Sequence, residues 1–366
     1  MALLIHALHG GGAERLMAQL ASRWAERGAK VNLITWSAEE TDAYPVHDDV
    51  MRCGLGLVGQ SSTPVHGIWA NIYRVRQLRK KLQELAPEFI LSFSDQMNIV
   101  ALEAARGIEC PTWIAEHSDP EQQRLSSFWE LWRKRSYPIC TGAVALTQSI
   151  AGYMSRWIAP EKMVVIPPAI DPPAQVVAST RELGLAESGR IVTVGRLSEE
   201  KDQQLLLDAW SRIANEIPGW QLRIVGEGSE RQQLSQAAAA IPRVELVGWQ
   251  DGVWSEYQRA DIFALSSRYE GFPVAMLEAM SQSACCVTTD CTSAIGQLQG
   301  EGHCLDVVPV GDAHAMAESL LRLANAPQVR LEMGEIARKA SRRYSWERVG
   351  LMWDAVLPKC IADALL

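Results

Sequence analysis

Apolar positions along this chain follow two periods that take turns. Short runs of aliphatic and β-branched residues read as strands: LLIHAL near the start, VNLIT (31–35), FILSFS (89–94), TWIAEH (112–117) and GAVALT (142–147). Between them the apolar residues recur every three or four positions, which predicts amphipathic helices near 13–27, 71–85, 97–106, 122–135 and 149–157. Strands alternating with helices predict a parallel sheet whose crossovers are helical.

The alternation stops at KMVVIPPAIDPP, where Pro167, Pro168, Pro172 and Pro173 remove backbone donors and fix φ, so the segment reads as a linker. It then starts again. RIVTVGRL (190–197), QLRIVGEG (221–228), VELVGW (244–249), DIFALSS (261–267) and CCVTTD read as strands, with helices near 203–215, 273–282, 313–324, 328–341 and 346–361. A restart after a proline linker implies two similar α/β units, 1–168 and 169–345, rather than one large sheet. A length of 366 residues agrees, because a single core rarely serves more than ~250–300.

Composition removes several classes. With 48% hydrophobic and 21% charged residues the chain is an ordinary globular one. Its net charge is −8, with the first half near neutral and the second acidic, which argues against a nucleic-acid partner, since that needs a coherent basic surface. The eight cysteines include no CxxC and suit a reducing cytoplasm. A zinc site from Cys286, Cys291, His303 and Cys304 has none of the common spacings. The N-terminus shows no charged n-region or cleavage site, and no apolar run approaches the ~20 residues of a spanning helix.

Three constellations carry candidate chemistry. Glu270 and Glu278 lie eight residues apart around GFPVAML, just after a strand, with Gly271 able to turn tightly and Pro273 placed as a first helical residue. The amides of Gly271, Phe272 and their neighbours would then form an anion site at a helix N-terminus; the plainer alternative is a helix cap and a solvated carboxylate. Arg196 and Lys201 in VGRLSEEKD put two cations at a strand's carboxyl end, as a diphosphate would require, unless they only pair with Glu199, Glu200 and Asp202. Gly10, Gly11 and Gly12 join a strand to a helix, which permits close approach of a ligand or simply a tight turn.

Taken in order, GGGAER, FILSFSDQMNIVALEAARG, AEHSDP, VIPPAID, VGRLSEEKD, LRIVGEG, VELVGW, EGFPVAMLEAM, DVVPVGD and YSWERV span nearly the whole chain and resemble glycosyltransferase family 4. The resemblance implies an α/β chain of GT-B fold: two Rossmann-like domains with parallel sheets facing across a central cleft, and a C-terminal helix (346–366) crossing back to the first domain. It implies a retaining enzyme, metal-independent, that uses a nucleotide sugar (a UDP-sugar) as co-substrate. In such enzymes Arg196 and Lys201 hold the donor diphosphate, Glu270 contacts the transferred sugar and Glu278 the ribose. Gly11 and Gly12 lie under the diphosphate; Gly271, Phe272, Pro273 and Val274 line the same end. Gly226, Glu227 and Trp249 border the base, and His117 falls near the reacting face of the sugar. Two departures stand out: TTDCTSAIGQLQGEGHC replaces a common Gly-Pro stretch, and AEHSDP has histidine where many relatives have arginine.

The acceptor is expected on the first domain. RVRQLRKKLQ (74–83) and RLSSFWELWRKRSYP (124–138) mix cations with apolar residues. In the second, Phe128 and Trp132 beside Arg133, Lys134 and Arg135 read as an interfacial helix on an anionic membrane surface, the alternative being an amphipathic helix packed on its own sheet. The first reading gives a lipid-linked saccharide as acceptor and work at the cytoplasmic face. A nucleotide-sugar 2-epimerase of the same fold and a non-catalytic sugar-nucleotide-binding protein are the competing readings.

Overall fold

A computed structural model of the chain describes residues 1–57, 64–173, 188–250, 252–300 and 302–365. The described residues form two compact units, Met1–Ala169 with Glu347–Leu366, and Ile170–Trp346.

The first unit runs β1 (Ala2–Ile5), α1 (Gly12–Glu26), β2 (Asn32–Thr35), β3 (Met51–Gly54), α2 (Pro64–Leu85), β4 (Ile90–Phe93), α3 (Asp95–Ala105), β5 (Thr112–Glu116), α4 (Ser127–Ser136), β6 (Gly142–Ala145), α5 (Gln148–Met154) and β7 (Met163–Val165). Its seven strands are ordered β3-β2-β1-β4-β5-β6-β7 and pair in parallel. The inner strands β1, β2, β4 and β6 are buried along their whole length, as a sheet covered on both faces requires. β3 lacks an apolar run, which is why the pattern missed it: it is an edge strand with Met51 exposed. α4 begins five residues later than its periodicity suggests, because 120–126 form a loop ahead of it.

The second unit runs β8 (Gly189–Val194), α6 (Gln203–Ile213), β9 (Trp220–Val225), α7 (Arg231–Ala238), β10 (Val244–Gly248), α8 (Trp254–Arg259), β11 (Ile262–Leu265), α9 (Val274–Ser281), β12 (Cys285–Thr289), α10 (Ala294–Gln299), β13 (Leu305–Val308), α11 (Ala313–Ala324) and α12 (Pro327–Ser341). Six parallel strands are ordered β10-β9-β8-β11-β12-β13. On one face Trp210 and Leu206 of α6 join Leu320 and Leu323 of α11 over Ile191, Leu222 and Ile262. Trp210 is fully buried, so Trp210→Ala is a change of the kind that costs ~3–5 kcal/mol.

The C-terminal segment differs from the single helix expected over 346–361. α13 (Trp346–Asp354) stops, and α14 (Lys359–Ala362) starts after Pro358. Pro358 lacks the amide a continuous helix needs there. Within the first unit, Asp354 accepts from the Trp24 indole at 2.9 Å and from Arg27 at 2.7 Å, and Trp353 packs 5.5 Å from the Phe93 ring. These contacts explain why 347–366 belongs with the N-terminal sheet.

Candidate active site

In both units the strand order reverses once, between β1 and β4 in the first and between β8 and β11 in the second. Crossovers leave such a pair on opposite faces, so their carboxyl ends open a crevice where ligands of doubly wound sheets bind.

In the second unit that crevice gathers the predicted cations and one predicted carboxylate. Lys201 ends a short 3-10 turn after β8, and its Nζ lies 2.6 Å from Glu270 Oε1 in the loop after β11. Ser267 Oγ donates to the same oxygen at 2.8 Å. Two further bonds stitch the loops together: Ser266 Oγ to the Lys201 carbonyl at 2.9 Å, and the Arg268 amide to the Glu200 carbonyl at 2.8 Å. Glu270 is buried and does not cap α9, whose N-cap is Pro273 with no side-chain cap bond. Arg196 at the end of β8 is exposed, and its guanidinium has no hydrogen bond or ion pair among the described residues. Its carbonyl is held by Gln203 Nε2 at 2.8 Å. The loop backbone is therefore fixed while its arginine head stays exposed.

Glu278 lies in α9 and is also buried, with the Tyr257 hydroxyl donating to its Oε2 at 2.8 Å. The sequence reading missed Tyr257, which sits on α8 without a motif around it. The start of α9 differs in detail from expectation. Pro273 is the N-cap, not the first helical residue, and the Val274 amide is already used by the Phe272 carbonyl at 2.9 Å. The amides of Gly271 and Phe272 make no hydrogen bond among the described residues, and both residues are buried. Cys291 supplies the carbonyl for the Glu270 amide, and burial together with the Glu270 charge pushes its thiol up to about 12. It is therefore an inert thiol rather than a thiolate nucleophile.

Gly226, Glu227 and Trp249 follow β9 and β10, the two strands beyond β8. Gly226 has φ +138, and a Cβ there would stand 1.9 Å from the Gly195 carbonyl, so only glycine lets these loops stack. Its amide bonds the Gly248 carbonyl at 2.9 Å. Glu227 pairs with Arg231 at 3.3 Å, and Trp249 is exposed. Among the described residues no group of three or more His, Cys, Asp or Glu is set to hold a metal ion.

The first unit presents a different edge. Glu14 folds back on the glycine loop, its Oε2 accepting from the Gly10 amide at 2.6 Å and the Gly11 amide at 2.7 Å. This capping box means that the two amides already hold a carboxylate, and Gly12 is the first residue of α1. His117 follows β5 with its ring 4.1 Å from Phe93. Burial lowers it to about 3, so its imidazole is neutral at ordinary pH. The residue as a whole is half-buried, but its Nε2 is shielded from water and has no partner. Next to it, Glu116 ends β5 fully buried and accepts from the Tyr137 hydroxyl. Burial is the largest of the effects that raise Glu116 to about 7, with Asp95 adding to it. Asp95 and Glu116 lay inside recognised fragments, yet nothing local marked them as buried.

The interfacial reading of α4 needs correction for two residues. Arg133 is 1% exposed and points inward, and Trp132 stacks on Trp129 at 5.2 Å against the core beneath α2 and α3. Phe128, Leu131, Lys134 and Arg135 form the outer face, with Leu131 71% exposed. Of the other basic segment, Arg74 stacks over Trp36 at 4.9 Å and Arg79 bonds the Glu103 carbonyl at 2.7 Å, so both face inward too.

Comparison with known proteins agrees with this architecture. Sucrose-phosphate synthase from Thermosynechococcus elongatus superposes with TM-score 0.80 over 97% of each chain at 18% identity. Anabaena HepE, solved in complex with UDP, gives TM-score 0.74 at 17% identity over 97% of this chain and 98% of its own. Two doubly wound parallel units matching these structures define the GT-B fold. Residues 10–173 match the family model for Glycosyltransferase Family 4, and residues 188–326 match that for Glycosyl transferases group 1. The chain thus carries a glycosyltransferase family 4 domain followed by a glycosyl transferases group 1 domain, and is a glycosyltransferase. In sequence it is 24% identical over 355 residues, 96% of each chain, to the GalNAc-alpha-(1->4)-GalNAc-alpha-(1->3)-diNAcBac-PP-undecaprenol alpha-1,4-N-acetyl-D-galactosaminyltransferase of Campylobacter jejuni. It is 24% identical over 232 residues, 60% of each chain, to the lipopolysaccharide 1,6-galactosyltransferase of Escherichia coli.

Proposed function

We propose that this chain transfers a hexose or N-acetylhexosamine from a UDP-sugar, with retention and without a metal ion, to a lipid-diphosphate-linked saccharide in surface-glycan assembly. The observation that carries this reading is the crevice between β8 and β11, where Arg196 has no partner among the described residues, Lys201 is anchored and Glu270 is buried. Leaving-group charge on a diphosphate is what such a cation pair stabilises. In the reaction the bond from the anomeric carbon to the β-phosphate oxygen breaks as the acceptor hydroxyl attacks from the same face. That phosphate oxygen takes the hydroxyl proton, and UDP leaves. Glu270 orients the sugar, Glu278 the ribose, and neutral His117 accepts a hydrogen bond on the acceptor side.

The relatives support the acceptor class: the Campylobacter enzyme is named for an undecaprenol-diphosphate saccharide, and the Escherichia enzyme for lipopolysaccharide. Among the structural neighbours, Anabaena HepE was solved with UDP and with UDP and glucose, and a TarM variant of S. aureus with UDP. The outer face of α4 suits a membrane carrying such an acceptor, at the cytoplasmic surface; among the described residues no helix is long and apolar enough to cross a membrane. The test is incubation with a panel of UDP-sugars and a lipid-diphosphate saccharide in the presence of EDTA, followed by proton NMR of the new linkage. An α-product from an α-donor is expected. A β-linkage, dependence on added metal, or conversion of the donor alone to an epimer refutes the reading.

A further inference from the structure

Behind the edge carrying His117 lies a buried charge cluster that donor chemistry does not use. Arg133 of α4 donates from Nη1 to Glu130 Oε1 at 3.2 Å, and its Nη2 lies 3.9 Å from Asp95 Oδ2. Its guanidinium sits 5.0 Å over the Trp157 ring and 5.6 Å over the Tyr137 ring. Tyr137 in turn donates to Glu116, whose charge acts on Arg133 as well. One side chain on α4 thus joins the junction of β4 with α3, the last residue of β5 and the segment after α5. Stability alone is a poor explanation. Buried ion pairs are commonly matched or bettered by apolar residues of similar volume, and this cluster leaves Arg133 Nε, Asp95 Oδ2 and Glu116 Oε2 without hydrogen bonds. Orientation is the better one. On a helix, successive residues step by ~100°, so with Arg133 turned inward Lys134 and Arg135 fall on the outside along with Phe128 and Leu131.

We propose that Arg133 is a positioning residue for the acceptor: it locks the rotation of α4 so that the outer face meets the lipid-carried acceptor while Asp95 and Glu116 hold the strand ends beneath His117. This rests on the first unit being the acceptor side of the transferase proposed above. The test compares wild type with Arg133→Lys, Arg133→Met and the double variant Arg133→Met/Glu116→Gln, which removes the carboxylate left without its cation. Measurements are acceptor KM, donor KM, kcat, UDP-induced thermal shift, and amide hydrogen exchange across 127–136. In the double variant, acceptor KM should rise at least 10-fold, with donor KM and the UDP shift within two-fold and protection lost mainly over α4. Arg133→Lys should recover part of the acceptor KM. Unchanged acceptor KM in the folded double variant overturns the proposal, as does a proportional loss in every parameter. If wild type transfers no sugar, the parent reading fails instead, and hydrogen exchange decides the clamp alone: protection of α4 equal to wild type ends it.

Discussion

Lys201 and Glu270, 69 residues apart in the chain, meet at 2.6 Å where the loops after β8 and β11 converge. The pair is partly covered, with 26% and 9% of the two side chains exposed, and Ser267 completes it. In the transferase proposed above, a cation held in this way would need little reorganisation when charge develops on a leaving group.

Removing Lys201 should therefore cost more than removing a surface cation. Lys201→Ala is expected to lower kcat by ~10²–10³-fold, the range for loss of one electrostatic donor at a reacting centre. Lys201→Ala/Glu270→Gln should fall by less than the product of the single effects, because the two act as a unit. Initial rates at saturating donor measure this; strict multiplicativity contradicts the coupling.

Arg196 gives a separable case. Its exposed guanidinium has no partner among the described residues, so Arg196→Ala should change stability by no more than ~0.5 kcal/mol. Turnover should nevertheless drop ~100-fold or more. Parallel denaturation and rate measurements check the split, and near-normal turnover refutes its diphosphate role.

Glycine is required at 226 for a steric reason. Gly226→Ala places Cβ 1.9 Å from the Gly195 carbonyl at φ +138 and should destabilise the second unit by about 2 kcal/mol or more. Gly152→Ala, in α5 with nothing within 4 Å of the new Cβ, should instead stabilise by ~0.5–1 kcal/mol. Urea midpoints of the two variants test the contrast; a Gly226→Ala midpoint at or above wild type would mean that the loops do not stack as described.

The Glu116 carboxyl predicts a pH dependence with a definite sign. Burial raises it from an ordinary 4.5 to about 7 in the folded chain. A raised acid contributes stability that is fully present below 4.5 and is lost as pH climbs to about 7. Glu116→Gln keeps an acceptor for Tyr137 and cannot ionise, so its stability relative to wild type should rise between pH 5 and pH 8. Curves of unfolding free energy that stay parallel over that window would show that Glu116 is not the group responsible.

Much of the fold was legible because it is written in local period. The inner strands, the long helices and the restart after the proline cluster each depend on residues close together in sequence. β3, β7, α7, α8, α10 and β13 were not read as elements: most are short or exposed and lack an apolar run. Met163–Val165, taken as the start of the linker, pairs with β6 as the edge strand β7, because the prolines that bar pairing begin only at Pro167. Pro358 could have signalled the break between α13 and α14, since proline rarely continues a helix.

The site divides along the same line. Local pattern was enough to say which residues stand at strand ends: Arg196, Lys201, Glu270, Gly226 and His117 all follow apolar runs within a few positions. Tertiary structure decided what each of them meets. Strand order put β8 beside β11 and so joined Lys201 to Glu270, while Tyr257 reached Glu278 from a helix with no motif. It also turned Arg133 inward and closed the Gly10 and Gly11 amides with Glu14. Periodicity reports that a residue lies on a helix face, but not which partners wait there. For a charged side chain those partners, arriving from distant segments, choose between solvent and burial.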